Sequence, residues 1–117
     1  MTGKEVLPNN MDRECTPLCE AINTIEGLRT VESCCGHGKH PFHVWFRVGN
    51  LDYLPHLLYW LNGCHTGFYG WRCLVETDCG KSPVLFLIEG PEGEQAYREA
   101  KEIAEEILAD DISLEEL

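Results

Sequence analysis

The sequence predicts an α+β fold: a two-layer sandwich in which a mostly antiparallel four-stranded sheet carries helices on one face. Three observations lead there. Two pairs of strand-like segments are each joined by a short turn rich in Gly, Pro or Ser. A helical segment lies between the pairs, and amphipathic helices flank them, giving the order α-β-β-α-β-β-α. Two hairpins around a helix favour antiparallel pairing, because parallel neighbours need long crossovers. A chain of 117 residues is one domain's worth. The expected division is a flexible N-terminal arm over 1–14, one folded domain over 15–110, and an acidic tail over 111–117.

The elements follow in order. Thr16-Pro17 reads as a helix start, with Thr16 as N-cap and Glu20 at capping-box spacing. Leu18, Ala21, Ile22 and Ile25 recur on one helical face, and Gly27 closes the helix. Leu28–Cys34 is the first strand. The Gly36-to-Pro41 segment is a turn. Phe42, Val44, Phe46 and Val48 then alternate with His43, Trp45 and Arg47, the clearest strand in the chain. Asn50 or Asp52 caps a second helix, whose apolar stripe is Leu51, Leu54, Leu58 and Leu61, widened by Leu57 and Trp60. Asn62-Gly63 ends it. Phe68 to Asp78 is the third strand. Val84 to Ile88, apolar on both faces, is a central fourth strand. Gly90-Pro91 starts the last helix, striped by Ala96, Ala100, Ile103 and Ile107. The sheet face away from the helices is expected to display Trp45.

The net charge of −11 is unevenly distributed: −3 over 1–28, +1 over 29–81 and −9 over 82–117, with all five histidines in the middle segment. An acidic shell repels duplex DNA and tRNA, whose binding rests on neutralising many phosphates. It leaves room for a small anion in a local neutral-to-basic hollow. No stretch reaches the roughly 20 apolar residues of a membrane span, and the first ten residues hold no apolar run, so the expected location is the cytoplasm. There, seven cysteines, two of them adjacent, are free thiols or metal ligands rather than a disulfide framework.

The chemistry-bearing residues concentrate between Ser33 and Arg47. Gly36, His37, Gly38 and Lys39 form a turn whose backbone amides are expected to converge on an anion, with Lys39 and Arg47 supplying charge. The bland alternative is a hairpin loop whose glycines only permit positive φ. Trp45 beside Arg47, and Trp71 beside Arg72, are flat rings next to guanidinium groups, suited to stacking a purine, although core packing serves a tryptophan equally. Ser33, Cys34 and His43 complete the candidate ligand-binding set. The Cys15/Cys19 pair with Cys34, Cys35, His37, His40 and His43 is an inventory from which zinc is possible. Small buried hydrophobes are the simpler reading for Cys15, Cys19, Cys64 and Cys73. A Cys34 or Cys35 nucleophile activated by His37 lacks an orienting third group.

Ser33-Cys34-x-Gly36, at the end of a strand preceded by a helix, resembles the Ser-Cys-x-Gly motif of the wybutosine-biosynthesis tRNA methyltransferase family, with His37 where that family carries arginine. The α-β-β-α order is similar too, over roughly residues 18–76. The resemblance implies a cleft for S-adenosylmethionine and a modified guanosine. The acidic, short chain lacks the basic surface that tRNA requires. In composition alone it resembles small phage and mobile-element proteins, including those that take up nucleotide signals of host defence.

Together these features lead to the expectation of a non-enzymatic module that binds and sequesters a small nucleotide-like anion, with no cofactor of its own. Its expected partners are that ligand and further copies of itself, as a homodimer or higher homo-oligomer, with neither long nucleic acid nor membrane. The alternatives are a nucleotide- or S-adenosylmethionine-dependent enzyme, and a small zinc-binding or protein-interaction domain.

Overall fold

A computed structural model describes residues 12–61, 70–76 and 83–109. Three α-helices, α1 (Thr16–Ile22), α2 (Leu54–Leu61) and α3 (Gly93–Ala109), accompany four strands, β1 (Leu28–Cys34), β2 (Pro41–Val48), β3 (Arg72–Glu76) and β4 (Val84–Glu92). The sheet is antiparallel throughout, in the spatial order β1-β2-β4-β3. The expected α+β class, element order and central fourth strand are all present. Among the described residues no helix is long and apolar enough to cross a membrane.

Alternation on β2 and β4 divides the sheet into two faces. Phe42, Val44, Phe46 and Val48, with Phe86 and Ile88, point to the helices and are buried. Against them pack Leu18, Ala21 and Ile22 of α1, Leu57, Trp60 and Leu61 of α2, and Ala96, Ala100, Ile103, Ala104 and Ile107 of α3. Alanines every fourth residue let α3 approach α1 and the sheet closely.

Several boundaries differ from the sequence expectation, each for a local reason. Asp12 and a 3₁₀ turn, Arg13–Cys15, join the fold ahead of α1: the Asp12 carbonyl accepts from Cys15 N at 2.9 Å and from Thr16 Oγ1 at 3.4 Å. Thr16 is therefore the first helical residue, and the N-cap is Cys15, which makes no side-chain cap. On α2 the capping Asn50 accepts from Asp52 N at 3.0 Å, but it opens a 3₁₀ turn, Leu51–Tyr53, that rotates Leu51 into solvent at 61% exposure. The buried stripe is Leu57, Trp60 and Leu61, flanked by the half-buried Leu54 and Leu58. Gly90 and Pro91 belong to β4, not to the last helix. The β3 pairing stops at Arg72↔Glu89, so Pro91's missing donor falls where that flank of β4 has no β3 partner. The helix starts instead at Gly93, whose φ of +69° makes the corner. The expected strand ends at Phe68, Tyr69, Asp78 and the Asn62-Gly63 stop lie outside the described residues.

Candidate functional site

The β1–β2 turn is built on left-handed backbone. Gly36, His37 and Gly38 have φ of 82°, 53° and 80°, and His37 is the single non-glycine residue with positive φ among the described residues. Such a conformation costs a residue with a Cβ roughly 1–2 kcal/mol. Gly36 is needed for space as well, since an added Cβ would lie 3.1 Å from the Pro41 carbonyl oxygen. The anion-binding concavity expected of this turn does not form. Gly36 N donates to Cys34 Sγ and His37 N to Cys35 Sγ, both at 3.4 Å, while Lys39 N and His40 N both donate to Gly36 O at 3.0 Å. Four of the turn's amides are thus taken up by partners within residues 34–36, and the His37, Gly38 and Lys39 side is exposed.

Beside the turn lies a cluster that joins Cys35 and His37, both in the inventory of possible zinc ligands, to Asp12, which the sequence did not suggest. Cys35 N donates to Asp12 Oδ2 at 2.9 Å across 23 residues of chain, and Cys35 Sγ is 3.8 Å from His37 Nδ1. One donor atom each of Asp12, Cys35 and His37 falls within 4.8 Å of the others. The Tyr97 hydroxyl of α3 hydrogen-bonds the Cys35 side chain. Burial pushes the Cys35 thiol above its ordinary range, an effect that the His37 N–H bond partly opposes.

The sheet face away from the helices is the second candidate. Its pairings order twelve residues into three rows across β1, β2, β4 and β3: Cys34–His43–Glu89–Arg72, then Glu32–Trp45–Leu87–Leu74, then Arg29–Arg47–Leu85–Glu76. Trp45, Leu87 and Leu74 make the middle row an apolar floor that ends at Glu32 on the β1 edge, and Leu87 is 8% exposed although none of the described helices covers it. His43 meets the Trp45 ring edge-on at 4.6 Å, and its Nδ1 donates to the Pro41 carbonyl at 3.1 Å. Arg72 pairs with Glu89 at 2.7 Å, neutralising one corner. At the opposite corner Arg29 faces Arg47 directly, with Arg47 Nη1 tied to the Pro83 carbonyl at 2.9 Å.

The structure thus distributes the predicted residues over two sides. Cys34, His43, Trp45, Arg47 and Arg72 share the open face. Gly36, His37, Gly38 and Lys39 form the turn at its end, and Ser33 points to the helix layer. Ser33 Oγ is buried against the Cys15 and Cys19 thiols without an oxygen or nitrogen partner. Trp71 is separated from Trp45 by the whole sheet. It is buried at 4% exposure, edge-on to Phe42 at 5.3 Å, and its Nε1 donates to Glu99 Oε1 at 2.9 Å. Gln95 Nε2 holds the second Glu99 oxygen at 3.0 Å, so the buried carboxylate is satisfied by neutral donors. Trp71 is a core residue here, and a ring cannot stack on both indoles at once. Cys15 and Cys19 are fully buried and Cys73 half-buried, as small hydrophobes would be, while Cys64 lies outside the described residues.

Arg29 was missed because a β-bulge at Val31 disrupts the alternation of β1: Thr30 pairs with Phe46 and Glu32 with Trp45. Leu74 carries no such irregularity; its place beside Leu87 follows from the β3–β4 register, which a short strand does not reveal by itself. Asp12 carries no local signal, since its partner is distant in sequence. No protein-family model matches the chain, no curated protein is similar to it at a significant level, and no solved structure is similar to it in fold at a significant level.

Proposed function

We propose that the protein is a non-enzymatic binding module that sequesters a flat, anionic, nucleotide-like ligand on the open face of its sheet, acting in the cytoplasm where its thiols stay reduced. The ring lies against Trp45 and the phosphate against Arg29 and Arg47. The observation that carries this reading is the direct pairing of Arg29 with Arg47 in the row next to Trp45. Like charges opposite one another weaken a sheet, and the nearest carboxylates of this face, Glu76 and Glu32, stand at the β3 and β1 ends of their rows rather than between the two guanidinium groups. An anion between them offsets the repulsion and gains charge-assisted hydrogen bonds. The step from Trp45 to Arg47 is two residues of strand, about 6.7 Å, close to the separation of a base from its sugar phosphate. The apolar floor of Leu87 and Leu74 extends the ring's contact.

Thermal shift with mono-, di- and cyclic nucleotides tests the reading. A ligand at 100 times its Kd stabilises the native state by about 2.7 kcal/mol. Trp45→Ala and Arg29→Glu should each remove that stabilisation, and the ligand should be recovered chemically unchanged. Conversion of the ligand would favour the enzyme reading instead. The competing occupant of this face is a second copy of the chain. Sedimentation of wild type against Trp45→Ala separates the two. No stabilisation by any nucleotide at millimolar concentration, or stabilisation that survives Trp45→Ala, refutes the proposal.

A further inference from the structure

We propose that Asp12, Cys35 and His37 form a binding site for one divalent transition-metal ion of the zinc class, with a fourth coordination position open to solvent. The site is distinct from the open face: it lies between the β1–β2 turn and the start of α1, on the helix side of the sheet.

The donor set fits this class of ion. One carboxylate oxygen, one imidazole nitrogen and one thiolate sulfur suit zinc, cobalt and their neighbours, whereas calcium and magnesium require oxygen donors. Zinc bonds of about 2.0–2.3 Å at tetrahedral angles place ligand atoms roughly 3.3–3.7 Å apart. Cys35 Sγ and His37 Nδ1 are already 3.8 Å apart, and the whole trio falls within 4.8 Å. Ligation requires the Asp12 oxygen to come up to about 1 Å nearer to the other two donors. This carboxylate already accepts from Cys35 N, and a carboxylate has lone pairs for both partners.

The turn holds the ligands in place. His37 adopts φ 53°, ψ 31° between two glycines that also have positive φ, and this brings its ring back towards the sulfur of Cys35. The burial is graded as a metal site requires: Cys35 is buried, Asp12 half-buried and His37 exposed, so the ion has an entry path from solvent. Three protein ligands leave a position for water or an exogenous donor, as in sites that do more than hold a fold together. Binding replaces the S–H bond of Cys35 with a sulfur–metal bond and releases that proton to solvent; nothing is oxidised or reduced.

Cobalt(II) titration of the reduced, metal-free protein provides the test. The expected result is one equivalent per chain, with a thiolate-to-cobalt charge-transfer band and visible bands of tetrahedral intensity. Cys35→Ser should abolish the charge-transfer band. Asp12→Asn, which keeps an acceptor for Cys35 N, and His37→Gly should each weaken binding about tenfold or more. Glycine suits the backbone at 37, so that variant keeps the fold, and its thermal stability in the absence of metal should not fall. Absence of any cobalt band at one equivalent overturns the proposal. So do bands that persist unchanged in Cys35→Ser or His37→Gly, which would assign the metal to other thiols.

Discussion

Replacing Gly90 with alanine drives a methyl group into the indole of Trp71. The new Cβ would lie 2.7 Å from Cε2, Cζ2 and Cη2 of that ring. Carbon atoms are comfortable at about 3.5–4.0 Å, so three contacts are each roughly 1 Å too short. The ring has little freedom to retreat, being edge-on to Phe42 and bonded through Nε1 to Glu99, which Gln95 holds in turn. The backbone at Gly90 is ordinary strand without positive φ. Alanine there restricts the unfolded chain and returns about 0.4–1 kcal/mol. Overpacking costs about 1–3 kcal/mol, so the net loss is about 1–2 kcal/mol, a fall in Tm of roughly 4–8 °C for a domain of this size. Urea denaturation measures it directly. In a Trp71→Phe background the penalty should shrink, because the six-membered ring that meets the methyl group is gone, giving a coupling of at least about 0.5 kcal/mol. The nucleotide-induced thermal shift proposed for the open face should be unaffected by Gly90→Ala. A neutral substitution, or an equal penalty in both backgrounds, would show that Trp71 is not packed as described.

Two further expectations concern charge and thiols. The Arg72–Glu89 pair is short but largely in water, with Arg72 67% exposed, so Arg72→Ala should cost less than about 0.5 kcal/mol, and the difference should vanish in about 1 M salt. Burial pushes the Cys15 thiol up to about 12 and the Cys73 thiol up to about 11, from an ordinary 9.0. A thiol that ionises more readily unfolded than folded supports the native state fully below pH 9. That support is lost progressively as pH rises towards the folded value. The Cys15 contribution should fall in that window by at most about 1.4 kcal/mol per pH unit. Thermal melts between pH 8 and 11 should show a shallower decline in Cys15→Ala than in wild type; equal slopes would refute the assignment.

Much of the architecture was legible because period-2 alternation on Phe42–Val48 is strong and Val84–Ile88 is apolar on both faces, which forces both strands to the middle of the sheet. The β1 span was readable as well, but its facing was not, since the bulge at Val31 adds a residue that hydrophobic pattern alone does not reveal. The error at Gly90-Pro91 has the same character: a Gly-Pro pair signals an interruption, yet the short β3 leaves β4 a flank where proline is tolerated. Site residues fared unevenly for a physical reason. Trp45 and His43 are fixed by strand alternation, which is local. Trp71 precedes β3, and its side was set by Glu99 and Gly90, 28 and 19 positions later in the chain. Asp12 depended on a contact with Cys35 that no local pattern encodes.

Cys34 and Cys35 show how one short segment governs both candidate sites. The strand delivers Cys34 to the open face beside His43, and the next residue, past the end of β1, turns its sulfur towards Asp12 and Tyr97 on the helix side. Each thiol accepts a backbone amide of the same turn, Gly36 N on one and His37 N on the other. The left-handed residues therefore hold two sulfur atoms on opposite sides of the sheet at fixed distances from their neighbours. A rearrangement of Gly36–Gly38 cannot move one without releasing the other. Hydrogen exchange at those two amides should consequently slow or quicken together, and independent behaviour would mean that the turn does not couple the faces.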